Sequence, residues 1–266
     1  MGMTFAEFKS FEVPKGSLAV WWLGQAGFIL KSPQGTLAVI DPYLSDSCGP
    51  AAEKLGFNFY RSFAPPIQAD QLSGFDVYAM THSHADHLDP ETISKYRQAG
   101  GKGPYLTPPH AAAKLEELGV PQEQITLTWP GKVYTRGDLI FRATLAIPFG
   151  DDDLTHVGYL VSLKAGPTLY FTGDTGYHEA IGRSVAEYKP DVMFTVINGM
   201  WHSLGPADAA KLADQIKPRL VIPYHYDLFP DGQMPPHTLR VNLFLYGMMD
   251  RFCTIEPGVP FICGRQ

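Results

Sequence analysis

The chain has 266 residues, 45% hydrophobic and 18% charged, enough apolar matter for a sizeable core and too hydrophobic for disorder. Its formal net charge of −6 comes without any run of Lys and Arg, which speaks against nucleic acid as a partner. Cys48, Cys253 and Cys263 show no paired spacing, the first residues are polar and acidic, and no apolar run approaches the length of a bilayer span. The expectation is a cytoplasmic protein acting on a small molecule, with no membrane contact; a homo-oligomer is compatible with this.

The 26 glycines and 23 prolines are spread along the chain and predict many turns between short elements. Residues 17–22, 28–31 and 36–40 read as strands of an antiparallel meander punctuated by Gly24, Gly27, Pro33 and Gly35. Residues 44–75 are irregular, the kind of long segment that often borders an active site. A buried strand at 75–80 runs into a His-rich segment. Helices are expected at 90–98 and 108–118, the second opening on Pro108-Pro109 and closing at Gly119. Strands follow at 125–128, 138–146, 157–163 and 168–171, then a helix at 178–188 and a strand at 191–197. In the next helix, 206–217, Ala209, Leu212, Ala213 and Ile216 recur at helical spacing. A strand at 219–223 and a helix at 237–248 complete the series. Both halves are strand-rich and end in strand–helix alternation. That suits two sheets packed face to face with helices outside, in a single domain spanning 1–266.

The chemistry concentrates in T-H-S-H-A-D-H-L-D, residues 81–89. Here His82, His84, Asp86 and His87 supply imidazoles and a carboxylate, the donors that zinc and its neighbours prefer. At a strand end, His82 and His84 can share one metal while Asp86 and His87 face a second. A His-rich surface turn is the bland alternative, and four ligand types straight after an apolar strand weigh against it. Asp41 ends a strand in V-I-D-P-Y, where an Asp alone would be a turn residue. Asp174, in L-Y-F-T-G-D-T-G-Y, is a carboxylate that an apolar strand delivers into a Gly-flanked turn; alone it would read as a turn residue or helix cap. His225, in L-V-I-P-Y-H-Y-D, ends another apolar strand, where a core histidine is the alternative.

H-x-H-x-D-H, with Asp41 upstream and Asp174 and His225 downstream, resembles the metallo-β-lactamase superfamily over nearly the whole chain. The resemblance implies an α/β fold, a four-layer αββα sandwich with a metal site at one edge of the two sheets. It further implies that Asp41 orients a ligating imidazole, that Asp174 bridges two metals and that His225 completes the second. The family usually places a third His on the first metal. This chain reads L-A-I-P-F-G-D-D-D there, so Asp151 takes that place, with His156 as a further candidate and a solvated acidic loop as the bland reading. A carboxylate at that position moves preference from zinc towards manganese.

W-W-L-G-Q-A-G-F, L-G-V-P-Q-E-Q-I-T, R-L-V-I-P-Y-H-Y-D-L-F and the tail C-T-I-E-P-G-V-P-F resemble in particular the L-ascorbate-6-phosphate lactonase branch. That implies two divalent ions, Zn or Mn, which generate a hydroxide from water, and a small sugar-acid lactone with or without a phosphate. Asp86 and Asp174 would hold the metals and accept the proton. Arg61 is the candidate for gripping a phosphate, ahead of Arg183 and Lys211. Trp201 and His202, in N-G-M-W-H-S-L-G-P, fall where relatives carry a loop over the metals; His202 would hydrogen-bond substrate or donate a proton. His110, His178 and His237 suit helix termini or the surface. A phosphodiesterase acting on a small diester, a nuclease and a catalytically silent binding protein compete with this reading. The acidic composition disfavours the nuclease, and the full ligand set disfavours the silent scaffold.

Overall fold

The computed structural model describes residues 4–264. In the first sheet β1 (Ser17–Trp22), β2 (Phe28–Lys31) and β3 (Leu37–Ile40) run antiparallel. β4 (Val77–Ala79), β5 (Tyr105–Thr107) and β6 (Ile125–Leu127) extend it in parallel. The second sheet repeats the plan. β7 (Val133–Arg136), β8 (Leu139–Leu145), β9 (Val157–Leu163) and β10 (Thr168–Phe171) are antiparallel, and β11 (Val192–Val196) and β12 (Leu220–Tyr224) continue in parallel. β13 (Pro260–Gly264) returns to the first sheet against β1.

Period-two alternation explains why these residues pack as sheets covered on both faces. Along β1, Leu18, Val20 and Trp22 enter the core shared with the second sheet, while Ala19 and Trp21 face helices. α1 (Phe5–Ser10), α3 (Pro90–Gln98) and α4 (Pro109–Glu117) cover that outer face with Phe8, Tyr96 and Leu115. α5 (Glu179–Ala186), α6 (Pro206–Ile216) and α7 (His237–Phe244) add Val185, Leu212 and Leu239 to the other core. The layers are therefore helix, sheet, sheet, helix. Between the sheets Phe28 meets Phe171 at 5.0 Å and Phe194 at 5.2 Å, and those two rings stack at 4.6 Å.

Three strands lie outside the sequence-based expectation. β5 has three residues and sits between two helices, and β7 and β13 are largely exposed or half-buried, so none carries a clean apolar alternation. α7 stops at Phe244 instead of running to 248, because the chain turns at Gly247 with φ 66°. α1 is a short helix with a Thr4–Glu7 capping box.

The irregular 44–75 segment contains α2 (Gly49–Glu53) and is tied down at several points. Asp89, the N-cap of α3, accepts from the Ser45 and Ser47 hydroxyls, each at 2.9 Å. Arg61 donates to the carbonyls of Tyr43 at 2.6 Å, Phe63 at 3.2 Å and Leu23 at 3.4 Å, and its guanidinium lies over the Tyr43 and Phe63 rings. This corrects the expectation that Arg61 grips a substrate phosphate. Its guanidinium is held against backbone carbonyls through all three of its nitrogens.

Two stability measurements check this packing. Phe28→Ala should cost about 3–5 kcal/mol in denaturant unfolding, the range for deleting a core aromatic. Arg61→Ala should cost about 1.5–3 kcal/mol, the worth of a charged hydrogen-bonding group, and Arg61→Lys should recover only part of it. A loss of substrate affinity at unchanged stability would contradict the anchoring role.

Candidate metal centre

The candidate residues follow the carboxyl ends of strands that meet at one edge of the sandwich. Asp41 follows β3, His82 to His87 follow β4, Asp174 follows β10, Asn198 follows β11 and His225 follows β12. Gly173 makes one of these exits possible. It has φ 62°, and a Cβ there would lie 2.5 Å from the Val157 carbonyl oxygen and 3.2 Å from Thr81.

Asp41 organises the buried side. Its Oδ2 accepts from His87 Nδ1 at 2.9 Å and from Thr81 Oγ1 at 2.5 Å, and its Oδ1 accepts from the Thr81 amide at 2.8 Å. Thr81 Oγ1 in turn lies 3.0 Å from His82 Nδ1. With the Nδ1 protons so held, the Nε2 lone pairs of His82 and His87 face inward.

Two adjacent positions result. His82, His84 and His156 form one group able to hold a cation, and Asp86, His87 and His225 form another. A third group of His82, His87 and Asp174 connects them. His82 Nε2 is 3.0 Å from His84 Nδ1. His87 Nε2 is 3.3 Å from His225 Nε2, 3.5 Å from Asp174 and 3.6 Å from Asp86. Asp151 Oδ2 lies 3.0 Å from His84 Nε2 and 3.3 Å from His156 Nε2, so both candidates for the first position border it. The Asp153 amide holds the other Asp151 oxygen at 2.9 Å, which keeps this carboxylate turned inward and away from solvent.

The donor set fits divalent cations. His156 Nδ1 donates to the Asp174 carbonyl at 3.0 Å, and its buried Nε2 has no hydrogen-bond partner; neither has the buried Asp174 Oδ1. His156 Nε2 thus faces another acceptor, Asp151 Oδ2 at 3.3 Å, and a buried acceptor without a donor is costly, so a cation fits between them. The electrostatics agree. Burial lowers the pKa of His82, reinforced by the imidazoles around it, so His82 stays neutral and able to ligate. Burial also pulls His87 down, but Asp86, Asp174 and Asp41 reverse this and raise it to about 10. Burial alone would raise Asp86, yet His87 and His225 hold it well below the usual carboxylate range. The carboxylates thus create a field that favours positive charge between them.

Sequence reasoning assigned no role to Gln25 or Asn198. Gln25 Nε2 donates to Asp86 Oδ2 at 2.8 Å. Asn198 meets His225 Nδ1 at 2.9 Å through its nitrogen and leaves its own buried oxygen without a partner. Turned over, the carboxamide oxygen accepts the Nδ1 proton and the Nε2 lone pair points into the cluster. The only trace of Gln25 in the sequence is a lone amide in the apolar, Gly-rich W-W-L-G-Q-A-G-F. Asn198 had no distinguishing signal.

A cavity of about 590 Å³ opens over the cluster. Its walls come from Cys48, Ala52 and Phe59 of the 44–75 segment, from 147–152, and from the turn carrying Trp201 and His202. Arg61 is not among the lining residues. Cys48 does line the cavity, but burial, helped by Asp86, pushes its thiol well up, so it is a poor nucleophile. His178 caps α5, while His110 and His237 lie in the first turns of α4 and α7. No helix of the described residues is long and apolar enough to cross a membrane.

A family model described as a beta-lactamase superfamily domain matches residues 19–225. A metal-dependent hydrolase of Myxococcus xanthus is 29% identical over 256 residues, 92% of this chain and 83% of the relative. A probable L-ascorbate-6-phosphate lactonase, UlaG, of Shigella boydii is 26% identical over 274 residues, 89% of this chain and 77% of the relative. The solved structure of Igni18, a metallo hydrolase from Ignicoccus hospitalis, shares the fold with a TM-score of 0.70 at 19% identity, covering 94% of this chain and 100% of that one. Sandwich, family match and relatives agree that the chain belongs to the metallo-β-lactamase superfamily, as a hydrolase of that fold.

Proposed function

We propose that the protein is a metal-dependent lactonase, which adds water to the carbonyl of a small cyclic ester and breaks the ring carbon–oxygen bond. The observation that carries this is the inward-facing set of imidazoles and carboxylates, with its unpartnered His156 Nε2 and Asp174 Oδ1, on the floor of a substrate-sized cavity. Similarity to the probable lactonase of Shigella boydii supports a cyclic ester as the substrate class.

In this reading His82, His84 and His156 hold one divalent cation, with Asp151 beside them. Asp86, His87 and His225 hold a second, and Asp174 lies between the two. Zinc or manganese suits this mixture of nitrogen and oxygen donors. Bound there, such cations supply Lewis acidity towards the ester carbonyl and bring the pKa of water towards neutrality. The protein's own groups then do the rest. Asp86 and Asp174 accept the proton that water loses. Asp41, Thr81 and Asn198 keep the imidazoles in the ligating tautomer. His202, in the cavity wall, hydrogen-bonds the substrate or returns a proton to the departing oxygen. No seryl or cysteinyl nucleophile takes part.

Elemental analysis after loading should find two divalent ions per chain. Replacing His82 and His84 together by Ala should remove one of them and abolish lactone hydrolysis; full occupancy in that variant would refute the assignment. Asp151→His should still bind metal and shift preference from manganese towards zinc in competition titrations. An unchanged preference would remove Asp151 from the first position and leave it to His156.

A further inference from the structure

The cavity has two unlike sides. Its floor is the imidazole–carboxylate cluster, whereas one wall is a run of aromatic rings. Phe59 stacks on Phe229 with centroids 5.0 Å apart and planes 13° from parallel. Phe57 does not itself line the cavity but supports this wall, stacking on Phe59 at 5.6 Å and meeting Trp201 edge-on at 6.0 Å. Around the mouth Leu55 keeps 73% of its surface exposed, Trp201 65% and Phe149 45%. Single exposed apolar residues are ordinary, but three large ones ringing one opening mark a surface that an apolar group covers.

The backbone at the mouth supports this. Trp201 and His202 are consecutive non-glycine residues in the left-handed region, with φ 52° and 63°. Such a conformation persists only where its surroundings enforce it, and it clusters at ligand sites. Here it keeps the indole at the cavity mouth instead of in the core.

The charges of the cavity point the same way. Among the described residues that line it there is no lysine or arginine, and the ionisable carboxylates are Asp86, Asp151, Asp152 and Asp174. A phosphate carried away from the reacting carbonyl would lie against rings with no lysine or arginine to meet it. Arg61, the nearest expectation for that task, is spent on backbone carbonyls.

We propose that the substrate is an uncharged cyclic ester bearing an extended apolar substituent, which lies along the wall formed by Trp201, Phe59 and Phe229, and that phosphorylated lactones are poor substrates. The inference rests on the lactonase reading for the reacting group and on the wall for the substituent. Trp201 is the specificity-determining residue at its outer end.

The test uses metal-loaded protein and two parallel series. The first is a set of γ-lactones with alkyl chains of increasing length, alongside a phosphorylated sugar lactone, followed by steady-state kinetics. The second is the corresponding lactams, which resist hydrolysis, followed by calorimetric binding. Each added methylene should raise kcat/KM about twofold to fourfold, chiefly through KM, and should tighten lactam binding to the same degree. The phosphorylated lactone should fall below the shortest alkyl member. Trp201→Ala and Leu55→Ser, both at exposed positions, should flatten the dependence on chain length. A flat series in the parent protein, or a preference for the phosphorylated lactone, overturns the proposal while leaving the lactonase reading intact. If no lactone is hydrolysed but lactam affinity still climbs with chain length, apolar recognition stands and the lactonase reading falls. Lactam binding indifferent to chain length overturns the apolar subsite whatever the kinetics show.

Discussion

One buried carboxylate sets the geometry of the whole site. Asp41 is 1% exposed, and a charge so placed is tolerable only when its oxygens are fully occupied by donors. They are occupied by the Thr81 amide and hydroxyl and by His87 Nδ1. Its own amide donates to the Ala79 carbonyl at 3.0 Å, which pins it to the neighbouring strand as β3 ends. The direction in which two imidazoles point is thus fixed by hydrogen bonds made just beyond the ends of β3 and β4.

The same logic separates the rigid part of the site from the adaptable part. The floor is built at strand ends, where His82, His87 and His225 are buried and hydrogen-bonded from behind. It draws on both halves of the chain, with His82 to His87 from the first sheet and Asp174 and His225 from the second. The rim comes from connecting segments, and there the side chains are exposed. The buried donors therefore sit just beyond strand ends, where hydrogen bonds from behind orient them. Recognition sits where sequence can change without disturbing the sheets.

How much of this was legible beforehand follows the same division. The cluster at 81–89 was visible because ligand-type residues are rare straight after an apolar strand, and the two-sheet architecture because both halves are strand-rich and end in strand–helix alternation. β5 and β7 were not visible: three residues give no period, and an exposed edge strand gives no apolar contrast. Arg61 misled because a lone arginine in a loop reads the same whether it faces a phosphate or its own backbone. Gln25 and Asn198 were missed because an amide that steadies a neighbour has no motif of its own. Such roles exist only between residues far apart in the chain, 61 positions for Gln25 and Asp86.

β13 has a bearing on how the molecule comes to exist at all. Residues 260–264 pair with residues 17–21, so the flank of β1 opposite β2 stays unpaired while the more than 230 residues between the two strands are synthesised. During that interval a strand rich in Trp, Val and Leu presents open amide and carbonyl groups, the template on which a second nascent chain can add. The closing strand therefore acts as a guard against self-association as well as a structural member. Damage to it, by proteolysis or by a proline within 261–264, would be felt first as insoluble product from the translation apparatus and only afterwards as lost activity.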